Sequence, residues 1–203
     1  AMTWVDRALG IDAHCVAALY AGLWISLSKG TDAALLARAE GFASTLAQVL
    51  GAPSERAVLY DLAGTIQMAH GDEARACESL ALATQADRAN PYVWLKFAWL
   101  CEKFARIPEA AQAYAQVAQI VEDSELSGAF FHRAAVLYGF VGQHERESFY
   151  YSECLKRVND KYGVARWAVE AFLDVGNAQR AVELETQMVE MADDEETRAA
   201  HRM

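Results

Sequence analysis

Apolar residues return at three- and four-residue intervals along almost the whole chain and nowhere alternate with period two, so the elements predicted are helices. Met2–Leu9 reads as the end of a helix, with Trp4, Ala8 and Leu9 on one face and Gly10 as its stop. Asp12 or Ala13 through Lys29 reads as a long apolar helix ended by Gly30, and Thr31 or Asp32 caps the next, which runs to about Leu50. After Gly51 and Pro53, Ser54 and Glu55 open a helix that ends near His70–Gly71, and Asp72 opens its partner, which runs to about Arg88. Past Asn90–Pro91 the expected helices are Tyr92–Phe104 and Pro108–Val121. Two further pairs follow, Leu126–Val141 with Gln143–Val158 around Gly142, and Lys161–Val175 with Asn177–Ala192 around Gly176. The acidic run Asp193–Glu196 then leads into a last short helix.

The helices come in repeating pairs. Laid 34 residues apart, Gly64 falls over Ala98, Gly71 over Ala105, Ala76 over Ala110, Leu80 over Tyr114 and Ala83 over Val117. Spacings between the turn residues Gly30, Gly71, Ala105, Gly142 and Gly176 are 41, 34, 37 and 34. A period in this range marks stacked supersecondary units, each of which buries its apolar face only against its neighbours. The units expected are about 1–15 (partial), 16–56, 57–90, 91–127, 128–161 and 162–195, with a partial C-terminal helix at 196–203, all in a single array over 1–203.

The pattern resembles the tetratricopeptide repeat (TPR) family, whose unit is a helical hairpin of about 34 residues. The residues that carry the likeness are a large side chain early in the first helix (Tyr60, Trp94, Phe131) and a small one at the helix crossing (Gly64, Ala98, Ala135). The turn residues, an alanine in the second helix (Ala76, Ala110, Ala181) and a large residue after it (Leu80, Tyr114, Tyr151) complete it. Departures are Pro91, three residues late for the family's proline, Leu35 and Glu147 in place of the alanine, and Ala165 and Glu185 where bulk is expected. The resemblance implies an all-α, right-handed α-solenoid of about four to five TPR-like hairpins whose first helices line a concave groove. Mapped onto this chain, that groove takes Tyr20, Trp24, Tyr92, Lys96, Trp99, Lys103, His132, Arg133, Phe140, Arg166, Trp167 and Glu170, with Leu27, Asp61, Thr65 and Met68 among their neighbours.

The function expected is therefore a non-catalytic protein–protein interaction scaffold that binds a peptide or protein segment with hydrophobic anchors and some acidic character. Aromatic and arginine side chains supply much desolvatable area for little lost entropy. Two alternatives stay open: a regulatory or substrate-docking module of an enzyme whose catalytic domain lies outside this chain, and a scaffold that self-assembles into a homo-oligomer through its solenoid ends. The chain reads as a fragment of a larger protein, and its alanine-rich style as bacterial.

Charge and chemistry narrow the field. Eighteen basic against 28 acidic residues leave −10, which disfavours nucleic acid. The longest apolar run, Cys15–Ile25, is too short for a membrane span, and no signal peptide is visible. Four scattered cysteines without a Cys-x-x-Cys pair read as free buried thiols and favour the cytoplasm, with the periplasm open if the chain is a fragment. No Gly-rich phosphate loop, His-Glu-x-x-His or nucleophile elbow is present, so no cofactor, metal or catalytic residue is expected. His14–Cys15 and His132 lack an orienting carboxylate, His70 suits a helix C-terminus, and His144-Glu145-Arg146-Glu147 reads as a solvated turn. Asp193–Glu196 reads as a solvated helix start rather than a divalent-ion site.

Overall fold

The computed structural model describes residues 2–28 and 32–200, with side chains as far as Glu190. Among these residues there are eleven helices and no strand: α1 Met2–Ile11, α2 Val16–Ser28, α3 Ala33–Val49, α4 Pro53–Ala69, α5 Glu73–Ala86, α6 Pro91–Lys103, α7 Ile107–Ile120, α8 Ser124–Phe140, α9 His144–Leu155, α10 Lys161–Asp174 and α11 Ala178–Ala200. None is long and apolar enough to cross a membrane. The turn expected at Gly30, with Lys29 and Thr31, and the chain end His201–Met203 lie outside the described residues.

The helices start where short side chains can replace the missing backbone acceptors. Asp32, Asp72, Asp123 and Asp160 accept the N–H groups of Leu35, Arg75, Leu126 and Gly163. Asn177 does the same for Arg180 at the start of α11. Pro53 and Pro108 occupy first turns, where no amide hydrogen is needed.

Four of the turns between paired helices share one geometry. Gly71, Ala105, Gly142 and Gly176 all have positive φ, from 56° to 76°. After each, the next N–H donates back to a carbonyl in the last turn: Asp72 to Gln67, Arg106 to Cys101, Gln143 to Tyr138 and Asn177 to Phe172, at 2.8–2.9 Å. This is a Schellman stop repeated four times, and it reverses the chain identically in each unit.

The chain divides into two compact units, residues 1–100 and 101–203. In the first, α1 through α5 pack in sequence, each helix against the next. Its core gathers Val5, Leu19, Leu23, Phe42, Leu46, Leu59 and Ile66. Helix crossings are close because one partner lacks a side chain: a Cβ on Gly64 would meet Leu80 at 2.9 Å, and one on Gly22 would meet the Phe42 ring at 2.6 Å. In the second unit α7 through α11 pack in the same serial fashion. Ala135, Tyr151, Leu155, Ala168, Phe172 and Leu184 form one cluster, and Ala118, Phe131, Cys154 and Val158 another. Ser127 donates to the Ala118 carbonyl at 2.6 Å, and a Cβ on Gly128 would meet Val158 at 2.5 Å, so the start of α8 sits hard against its neighbours.

Several boundaries differ from the sequence expectation: α5 ends at Ala86 rather than Arg88, α8 begins at Ser124 rather than Leu126, α9 ends at Leu155 rather than Val158, and three more have a visible cause. Gly10 does not stop α1, which continues to Ile11, because an isolated glycine weakens a helix by only about 1 kcal/mol. Helix α2 begins at Val16 rather than at Asp12 or Ala13: the Asp12 carboxylate accepts the His14 N–H at 2.9 Å and its carbonyl the Cys15 N–H at 3.1 Å, which folds residues 12–15 into a turn. Finally, no separate helix begins at residue 196, since α11 runs unbroken through Asp193–Glu196 to Ala200, and that stretch holds no glycine or proline to end it; 201–203 lie outside the described residues.

Candidate functional site

On several first helices large side chains remain that the core does not absorb, although α4 exposes no aromatic residue. On α2 these are Tyr20, Trp24 and Leu27, and on α6 Tyr92, Lys96 and Trp99. Both sets follow i, i+4, i+7, the spacing of one helix face. Trp24 is 75% exposed and Tyr92 78%, with Tyr20 and Trp99 about half exposed. Their helices are held from the other side, by Leu19 and Leu23 on α2 and by Val93 and Phe97 on α6, all buried.

Lys96 is already engaged. Its Nζ donates to both carboxylate oxygens of Asp61 on α4 at 2.8 Å and to the Thr65 hydroxyl at 3.3 Å. The partners stand 35 residues apart, about one repeat.

The second unit presents a comparable surface. Phe140, at the end of α8, is 80% exposed, and Trp167 on α10 is more than half exposed, flanked by exposed Arg166 and Glu170. Arg133 pairs with Glu102, which also accepts the Tyr114 hydroxyl at 3.0 Å. Here too the partners are about one repeat apart, at 31 residues. Lys103 places its Nζ 5.3 Å from the centre of the Phe104 ring. His132 differs from the rest. Its ring is half-buried and edge-on to Tyr151 of α9 at 5.8 Å, and burial lowers its pKa, so it enters the hairpin as a neutral aromatic group.

The structure thus exposes every aromatic residue selected from the sequence and turns His132 inward. Tyr162 on α10, half exposed, stands four residues before Arg166 and eight before Glu170, in register with them, and is a further exposed aromatic that the sequence reading did not select. The ion pairs Lys96–Asp61 and Arg133–Glu102 were also missed. Opposite charges one repeat apart on successive first helices are the signal that would have found them.

No family model matches the chain, and none of the curated proteins compared with it does so. Among solved structures, a crystal structure of MamA superposes with a TM-score of 0.49 at 15% identity, covering 77% of this chain and 85% of that one. A Podosopora anserina putative kinesin light chain with nearly identical TPR-like repeats gives 0.48 at 16%, covering 88% and 96%. BtubC from P. vanneervenii gives 0.44 at 12%, covering 97% and 88%. These values are too low to bear on function. The class rests on the hairpins themselves: serial helical pairs, four identical reversals and small residues at the crossings make this an all-α protein of TPR-like repeats.

Proposed function

We propose that the chain is a non-catalytic interaction module and that the exposed stripes on its first helices capture a protein or peptide segment through hydrophobic anchors. The observation that carries this reading is an asymmetry. Of nine exposed tryptophan, tyrosine and phenylalanine side chains among the described residues, seven lie on first helices, on α2, α6, α8 and α10 but none on α4. Phe149 is the single example on the second helices α3, α5, α7, α9 and α11, and Trp4 on α1 completes the set. Leaving such area in water is unfavourable by about 25 cal/mol per Å², and exposed aromatic patches of this kind mark contact surfaces. The pairing of Lys96 and Arg133 within the protein supports a binding energy drawn mainly from aromatic area, with acidic groups on the partner in a lesser role.

A library of random peptides displayed on phage and selected on the full chain tests the proposal. Enriched peptides should carry aromatic or large aliphatic anchors. Their affinity, measured by fluorescence polarisation, should fall at least about tenfold in Trp24→Ala/Tyr92→Ala or in Trp99→Ala/Arg133→Ala, with unchanged circular dichroism. Peptides that bind all folded variants as tightly as the parent would overturn the assignment.

A further inference from the structure

At the start of α9, His144 turns its Nδ1 toward two carboxylates at once. Glu147 Oε2, one turn along the same helix, is 2.9 Å away, and Asp174 Oδ2, from the last turn of α10, is 3.5 Å away. The three ligand atoms lie within 4.8 Å of one another, the one such group of histidine, cysteine and acidic side chains among the described residues. His144 and Asp174 line a cleft of about 460 Å³, together with Gly142, Gln143, Glu145, Arg146 and Val175.

Hydrogen bonding satisfies only part of this arrangement. An imidazole Nδ1 carries at most one proton, which points at one acceptor, and Glu147 is the nearer. The Asp174 oxygen is left close to a second carboxylate with no proton for it. Arg146 does not neutralise the pair, since its guanidinium lies over the Tyr138 ring at 5.3 Å and reaches the Tyr138 hydroxyl at 3.5 Å.

The Glu147 carboxylate is also given a built place. It occupies the position held by Ala76, Ala110 and Ala181 in other hairpins, and the residue facing it is Gly139. A Cβ at Gly139 would lie 2.4 Å from Glu147 Oε1. The corresponding positions elsewhere are Met68, Glu102 and Leu173, so this hairpin alone surrenders a side chain to admit a carboxylate. A solvated turn residue needs no such clearance.

We infer that His144, Glu147 and Asp174 form a three-ligand site for a divalent first-row transition metal ion of the Zn²⁺ type, with water completing its coordination. Ligand atoms about 2.0–2.2 Å from zinc lie roughly 2.9–3.5 Å from one another over octahedral to tetrahedral angles, and the distances to Nδ1 match. One imidazole with two carboxylates suits such an ion, whereas calcium and magnesium sites are built from oxygen. The ion would clamp α9 to α10 and so fasten one hairpin to the next. The sequence shows only a solvated turn here because Asp174 arrives from the following hairpin.

The test is isothermal titration of the chelator-treated full chain with ZnCl₂ near neutral pH, in a Cys15→Ser background that removes the partly exposed thiol beside His14. One equivalent of Zn²⁺ should bind and raise the melting temperature. Asp174→Asn, an exposed position that leaves the core intact, and His144→Ala should each weaken binding at least about tenfold, and His70→Ala should not. Co²⁺ in place of Zn²⁺ should give visible d–d bands that Asp174→Asn abolishes. Failure of the parent to bind Zn²⁺, or binding undiminished in both Asp174→Asn and His144→Ala, overturns the site.

Discussion

Ala105 holds φ at 56°, a conformation that its three counterparts Gly71, Gly142 and Gly176 reach without a Cβ. The left-handed region disfavours an L side chain by about 1–2 kcal/mol, of which a glycine's greater freedom in the unfolded chain takes back part. Ala105→Gly should therefore stabilise the protein by about 0.5–1 kcal/mol in urea unfolding, and Gly142→Ala should destabilise it by a similar amount. The cysteines offer a second residue-scale prediction. Burial pushes the Cys154 thiol up to about 11; Glu125 adds to the shift, while a backbone hydrogen bond from His132 and the charge of Arg157 oppose it. Cys77 and Cys101 are buried too, and Cys15 is the one partly exposed thiol. At about pH 8 Ellman's reagent should report one fast thiol in the native protein, and Cys15→Ser should remove that phase; fast reaction of Cys154 would contradict its packing.

Between helices, the small residues at the crossings carry the architecture. Ala110 is fully buried in α7, and Glu102 holds the α6 position that Gly139 vacates in α8. Ala110→Glu should consequently destabilise by several kcal/mol, because the new carboxylate lacks the clearance Glu147 enjoys and lies near a like charge. Thermal melting checks this, and an unchanged midpoint would refute it. Elements of this kind were legible because their signals are local: an aspartate cap, a proline in the first turn, a left-handed turn residue at a regular interval. Errors came where a side chain competed with the helix, as Asp12 does at the start of α2, or where a breaker was too weak, as at Gly10. The buried polar group around Glu40 was illegible for another reason. Its carboxylate, almost fully buried, accepts Gln67 Nε2 at 2.9 Å and pairs with Arg75, so its partners come from α4 and α5, beyond the reach of any pattern along α3.

For the molecule as a whole, the question is whether charge or aromatic area governs recognition. The chain carries −10, and two of the cations on the first helices, Lys96 and Arg133, are neutralised in place by Asp61 and Glu102. The aromatic members on α2 and α6 were readable as stripes at i, i+4, i+7, since exposure on one helix face follows from the period. Their electrostatic state was not, since each ion pair joins residues about one repeat apart on different helices. If the pairs persist with a partner bound, capture depends little on long-range attraction. Raising the salt from about 50 to 500 mM shortens the screening length roughly threefold. Under the aromatic reading the Kd of selected peptides should then change by less than about threefold, and Lys96→Ala should weaken binding far less than Trp24→Ala/Tyr92→Ala. A loss of more than about tenfold over that salt range would instead mean that Lys96 or Arg133 leaves its internal partner to grip an acidic ligand.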